Sequence, residues 1–148
     1  MTKSRVFAFL AALVTVFIFA ASSQNGDQSA ELSGGLLNFL MNILGKTGIT
    51  ITHLFIRKAA HFTEFFMQSL FLSLSALYSA KGIKKYRLNI AFAGLLTACT
   101  DEFLQYFSLG RSAEVSDVFI DFSGTICALI LILIISVLSK RRAWKCLI

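Results

Sequence analysis

Residues 58–80 read KAAHFTEFFMQSLFLSLSALYSA. This is an apolar run long enough to cross a bilayer, interrupted near its start by a histidine, a glutamate and a glutamine. A hydrocarbon core of ~30 Å takes about 20 helical residues at a rise of ~1.5 Å each. Three further windows have the same character, at Arg5–Ser22, Leu88–Phe107 and Glu114–Ser139. The whole chain of 148 residues is 56% hydrophobic and 15% charged, has no proline, and has a mean hydropathy of +0.73. Such a composition describes an integral membrane protein. The connections between windows are short, so residues 1–148 form one domain with no soluble catalytic unit. The expected fold class is all-α, an integral membrane bundle of about four transmembrane helices.

Orientation follows from the cations, because Lys and Arg near membrane ends are retained on the cytoplasmic side. Ten of the fourteen lie in three clusters: Lys3 and Arg5; Lys81, Lys84, Lys85 and Arg87; and Lys140, Arg141, Arg142 and Lys145. None of these clusters contains an acid. Four crossings with both termini in the cytoplasm put all three on one face, and place 23–57 and Ser108–Ala113 outside. The net charge of +6 then belongs to a rim that meets anionic headgroups, and nucleic acid is not needed to explain it. Trp144 and Tyr86 read as interfacial anchors on that side, and the fifteen Phe as helix packing and lipid contact.

The first window has an alternative reading as a signal peptide, since Lys3 and Arg5 precede the apolar run and small residues follow at Ala20-Ala21-Ser22-Ser23. Its length favours a transmembrane helix, and the other three crossings keep their direction either way. Ser23–Gly35 is polar and glycine-bearing and reads as a solvated loop. Leu36–Leu44 is apolar but too short to cross, with Asn38 and Asn42 one turn apart, which predicts a short helix lying in the outer interface. Cys99, Cys127 and Cys146 make an odd count without a paired spacing, so neither a disulfide framework nor a cysteine metal site is indicated. No serine or cysteine nucleophile motif is present.

Five of the eight acidic residues interrupt the apolar windows. In the second window Arg57, His61, Glu64 and Gln68 recur at spacings of four, three and four, one narrow stripe at 100° per residue. In the third, Asp101 and Gln105 share a face with Glu102 beside them. In the fourth, Asp117 and Asp121 lie one turn apart, and Gly124 continues their line with a surface a neighbouring backbone can approach. Counting in from the outer window ends puts Glu64, Asp101 and Asp121 at one level, roughly 9 to 10 Å deep. An ionisable group facing lipid costs on the order of 3 kcal/mol near the bilayer centre, so these residues turn inward and meet. Glu64, Asp101, Glu102, Glu114, Asp117 and Asp121 outnumber the fixed cations Arg57, Lys58 and Arg111. The cluster therefore holds protons, binds a cation, or keeps some members in water. Three readings are open: an ion-pair network that orients helices; a divalent-cation site built from His61, Glu64, Asp101 and Asp121; or an acid–base enzyme for a lipid-borne substrate, drawing on His61, Glu64, Asp101, Glu102, Asp117 and Asp121.

The run Ile56-Arg57-Lys58-Ala59-Ala60-His61-Phe62-Thr63-Glu64-Phe65, then Asp101-Glu102-Phe103-Leu104-Gln105, then Arg111, then Asp117 through Gly124 resembles the VanZ-like membrane proteins. These carry an R-K-x-x-H-F-x-E motif, a D-E-x-x-Q motif, a following Arg and a D-x-x-x-[ND]-x-x-G motif. The order and spacing match over about half the chain. The resemblance implies a small multi-helix bacterial membrane protein, and the family's namesake is associated with reduced susceptibility to teicoplanin and related glycopeptide antibiotics. By motif position, the family's polar residues fall on Arg57, Lys58, His61, Glu64, Asp101, Glu102, Gln105, Arg111, Asp117 and Asp121. Two departures stand out. Many relatives place proline just before the motif Arg, where this chain has Ser108-Leu109-Gly110, which predicts a more flexible turn. Asp121 stands where many relatives have Asn, adding one negative charge.

The expectation is a carboxylate-rich pocket facing the extracytoplasmic leaflet of a bacterial cell membrane. Arg57, Lys58, Gln105 and Arg111 would meet a membrane lipid or a lipid-linked cell-wall component there. The carboxylates and His61 would hold a divalent cation or move protons.

Overall fold

The computed structural model describes residues 2–26, 31, 34, 35 and 52–145. Four long helices account for most of them: α1 (Lys3–Ser22), α2 (His53–Leu77), α3 (Ile83–Phe107) and α4 (Val115–Lys145). There is no strand among the described residues. By length and composition, Lys3–Ser22 and Val115–Ser139 are apolar enough to cross a membrane. Helices α2 and α3 are longer than α1, at 25 residues each, but carry the polar stripes read from the sequence.

The helices overrun the expected windows for local reasons. Helix α2 starts five residues before Lys58, because the Thr52 hydroxyl accepts the Phe55 amide at 3.2 Å and caps the helix there. Helix α3 starts at Ile83, directly after Gly82, whose positive φ of 69° suits a residue without a Cβ. Helix α4 continues past Ser139 to Lys145, since cations are favourable at a helix C-terminus. In the stretch expected to be a loop, the described residues Gly26, Glu31, Gly34 and Gly35 are helical. Glu31 is a good helix former. The interfacial helix expected over Leu36–Leu44 lies outside the described residues, as does Cys146.

Helices α2 and α4 run parallel to each other and antiparallel to α1 and α3, as the Lys58–Asp117, Ser4–Ser75 and Ser22–Asp101 contacts require, and α2 packs against all three of its neighbours. The interior mixes apolar and polar groups. Ala76, Ile83, Ile90, Leu129 and Ile132 form one apolar cluster. Ile18, Phe65 and Ala98 form a second. Between these clusters the Gln68 amide donates to the hydroxyls of Thr15 at 2.8 Å and Thr97 at 3.2 Å, tying α1, α2 and α3 together. Ser69 donates to the Thr125 carbonyl at 2.9 Å. The surface is the reverse of a soluble protein's: Phe9, Phe17, Phe55, Phe92, Phe103, Phe107 and Phe119 all face outward.

Two glycines let neighbouring helices approach closely. A Cβ on Gly124 would overlap the Phe62 carbonyl oxygen and come 3.1 Å from the Phe66 amide, so α4 lies directly on the backbone of α2. A Cβ on Gly94 would overlap the Thr125 side chain, so there the backbone of α3 lies against a side chain of α4. The first contact lies one turn beyond Asp121 and brings that residue up to His61.

Candidate functional site

The polar end of the bundle is built from the C-terminal turns of α1 and α3, the N-terminal half of α2 and the first turns of α4. Its side chains fall into two layers. The upper layer joins α2 to α4. Asp117 lies in the first turn of α4, where the helix dipole favours an anion. It is ion-paired with Lys58 and lies 3.6 Å from Arg57 Nη2. Lys58 also reaches Glu114 Oε2 at 4.0 Å. The Glu102 carboxylate accepts the backbone N–H of Glu114 at 2.8 Å, so a residue of α3 caps the start of α4.

The lower layer is more deeply buried. Asp101 and Asp121 are fully enclosed and His61 is 8% exposed. The Nδ1 of His61 lies 3.6 Å from Asp101 Oδ2 and 3.5 Å from Asp121 Oδ1. Asp101 is held from two sides, by the Ser22 hydroxyl on Oδ1 and by the Gln105 amide on Oδ2 at 2.7 Å. Among the described residues, both Asp121 oxygens and His61 Nδ1 have no hydrogen-bond partner. Five further buried side-chain atoms share this state among the described residues, Arg57 Nε and Glu102 Oε1 at the same polar end.

The sequence stripes therefore meet, with adjustments. Of the four expected metal ligands, His61, Asp101 and Asp121 bring one donor atom each to within 4.8 Å of one another. Glu64 is half-buried and within electrostatic reach of His61, Asp101, Asp121 and Arg111, but is not one of the three converging groups. The early start of α2 explains the shift: the residue level with Asp101 and Asp121 is His61, one turn before Glu64. Gln105, expected to touch a substrate, spends its amide on Asp101. Arg57 and Lys58, expected to meet an external anion, are engaged by Asp117 but keep side-chain exposures of 30% and 26%.

Ser22 is the site residue that sequence reading missed. It is 2% exposed, donates to Asp101 across 79 residues of sequence, and its carbonyl accepts Ser108 Oγ at 2.9 Å and Arg111 Nη1 at 3.5 Å. The turn expected to be more flexible for lack of proline is hydrogen-bonded to the end of α1 and to Gly26. The Gly26 N–H donates to the Leu109 carbonyl at 2.9 Å, and Gly26 lies against Gly110, whose φ is 75°. Burial lowers the Arg111 pKa, and the nearby carboxylate of Asp101 opposes that shift. The guanidinium stays charged at any ordinary pH.

Ser22→Ala removes one donor from a buried carboxylate and is expected to cost about 1 to 3 kcal/mol. A thermal melt of detergent-solubilised protein reads this as a lowered Tm, and an unchanged Tm would show that the Ser22 contact carries no weight.

An open groove of about 390 Å³ lies at the opposite end of the bundle, bordered by Ser4, Ser75, Tyr86 and Asn89. None of the site residues lines it.

A family model described as VanZ/LLP1 matches residues 7–136, which include all of α2 and α3, most of α1 and α4, and all ten polar motif residues. The chain belongs to this family. No curated protein and no solved structure matches it. Family membership and the two apolar helices both fit a membrane protein.

Proposed function

We propose that this VanZ-family chain is a four-pass protein of the bacterial cell membrane, with both termini in the cytoplasm and its polar end beneath the extracytoplasmic surface. Helices α2 and α3 fall short of a membrane span only because of polar residues. Those residues are largely inward: His61, Gln68, Asp101, Glu102 and Gln105 are buried, while Leu54, Phe55, Leu88, Phe92, Leu95 and Leu96 are exposed on the same helices. A soluble protein rarely exposes so large an apolar surface. The basic clusters at the opposite end supply the orientation.

At the polar end the protein would bind the anionic headgroup of a lipid-linked cell-wall component. Arg57, Lys58 and Arg111 supply the fixed charge, with planar guanidinium forks suited to phosphate oxygens. Binding there would lower susceptibility to teicoplanin and related glycopeptides by changing access to their envelope target. The observation that carries the reading is the enclosed cluster of His61, Asp101 and Asp121 lying under partly exposed cations. A second reading, an acid–base or metal-dependent enzyme acting on the same lipid-linked substrate, is favoured by that cluster's unpartnered atoms.

Expression in a glycopeptide-susceptible bacterium tests the proposal. The wild-type chain is expected to raise the inhibitory concentration of teicoplanin, and Asp101→Asn, expressed at equal level, to abolish the rise. No rise with the wild-type chain would remove the resistance role. A chemically altered lipid-linked precursor in membranes of the expressing strain would select the enzyme. Topology has its own check in a chain whose native cysteines are replaced. Ser108→Cys should react with a membrane-impermeant thiol reagent in whole cells and Gly82→Cys should not, and the reverse pattern would invert the orientation.

A further inference from the structure

We infer that His61, Asp101 and Asp121 bind one divalent ion of the first transition row, zinc or manganese. The inference deepens the reading above and rests on its buried cluster. Three helices each contribute one residue, and one donor atom from each lies within 4.8 Å of the others. Asp121 has no exposed surface, and neither of its oxygens is hydrogen-bonded among the described residues. His61 Nδ1, pointing at both carboxylates, is likewise without a partner.

The spacing separates a metal site from an ion pair. A charged imidazole–carboxylate hydrogen bond closes to about 2.7 to 2.9 Å. Here the two separations from Nδ1 are 3.6 Å and 3.5 Å. Two ligands on one tetrahedral ion, each bonded at ~2.1 Å, stand roughly 3.4 Å apart. Both separations from Nδ1 thus match those of neighbours around a common centre, and the third pair lies within 4.8 Å. Two carboxylates carry a charge that a divalent cation cancels. One imidazole with two carboxylate oxygens is a donor set that suits zinc or manganese better than calcium, which takes oxygen alone.

The surroundings also fit a ligand's supporting shell. Asp101 is fixed by Ser22 and by Gln105, leaving its orientation set before any ion arrives. Metal-binding carboxylates are commonly held in this way by residues that do not touch the metal. With three protein ligands the ion keeps a fourth position, on which catalytic zinc sites depend. Glu64, within electrostatic reach, stands one turn further along α2.

The test uses the full chain purified in detergent, stripped with a chelator and dialysed against zinc or manganese chloride. Elemental analysis is expected to find one ion per wild-type chain. Asp121→Asn and His61→Gln should retain less than a tenth of that, and the added ion should raise the Tm of the wild-type chain alone. Wild-type protein that is folded and monodisperse yet holds no stoichiometric ion of either kind would overturn the inference. So would full retention by His61→Gln and Asp121→Asn. If Asp121→Asn does not fold, His61→Gln and the wild-type Tm shift decide. Failure here alongside the expected Ser108→Cys labelling and teicoplanin response would leave the envelope reading in place. Success here with no teicoplanin response would do the opposite.

Discussion

Gly124→Val is expected to destabilise the bundle strongly. A Cβ at this position overlaps the Phe62 carbonyl oxygen and crowds the Phe66 amide, and neither backbone atom can move without bending α2. Valine adds two methyl groups to that overlap. Overpacking of this kind costs about 3 kcal/mol or more, because the neighbour is backbone rather than a flexible side-chain end. Helix propensity works the other way, but replacing glycine recovers less than ~1 kcal/mol. Against a typical total stability of about 5 to 15 kcal/mol the net loss is large. Because Gly124 lies one turn from Asp121, a partly folded variant should also lose the approach of Asp121 to His61. The measurement is the yield of monodisperse protein in detergent together with its Tm. Gly124→Ala should show an intermediate loss, and a Gly124→Val chain with the wild-type Tm would contradict the close packing of α2 on α4.

The second large effect is electrostatic. Lys58→Glu should be strongly destabilising, since it puts a new anion against Asp117 and Glu114 and beside the Glu102 that caps α4. Removing one partner of a buried hydrogen-bonded charge pair costs about 2 to 5 kcal/mol. Lys58 is partly exposed, which pulls the expected loss toward the lower limit. Asp117→Lys should do comparable damage by gathering three cations at the start of α4, where the helix dipole already opposes them. The double exchange Lys58→Glu/Asp117→Lys restores an attractive pair and should recover about half the combined loss. A double-mutant cycle on Tm or chemical denaturation reads the coupling. Strictly additive effects would mean that the pair contributes nothing to joining α2 and α4.

The sequence carried more of the site than of its exact level. Spacings of four, three and four put Arg57, His61, Glu64 and Gln68 on one face of α2, and the first two, with Gln68, do point into contacts with neighbouring helices. The same periodicity paired Asp101 with Gln105 and aligned Asp121 with Gly124. It could not say which residue of α2 stood opposite them, because that depends on where the helix begins. The Thr52 cap sets that point. Ser22 was hidden for a different reason. In an apolar helix ending Ala-Ala-Ser-Ser it reads as a small terminal residue, and its partner Asp101 is remote in sequence. The available signal was the face formed by Ala11, Thr15, Ile18 and Ser22, at spacings of four, three and four, three of which are buried and the fourth bonded to Gln68. The hydrogen bonds that Ser22 and Gly26 make to the turn at Ser108–Gly110 come from a different segment, which no local sequence pattern signals.

The claim on which the rest depends is that side chains of α2 and α4 meet at His61 and Asp121. A chain with its native cysteines replaced, carrying His61→Cys and Asp121→Cys, can be treated in membranes with a short bifunctional thiol reagent. The expected result is efficient intramolecular bridging of this pair, and none when the second cysteine is moved to Leu131, ten residues further along α4 on an exposed position. Absence of bridging at 61 and 121 in folded protein, or equal bridging at 61 and 131, would contradict the account.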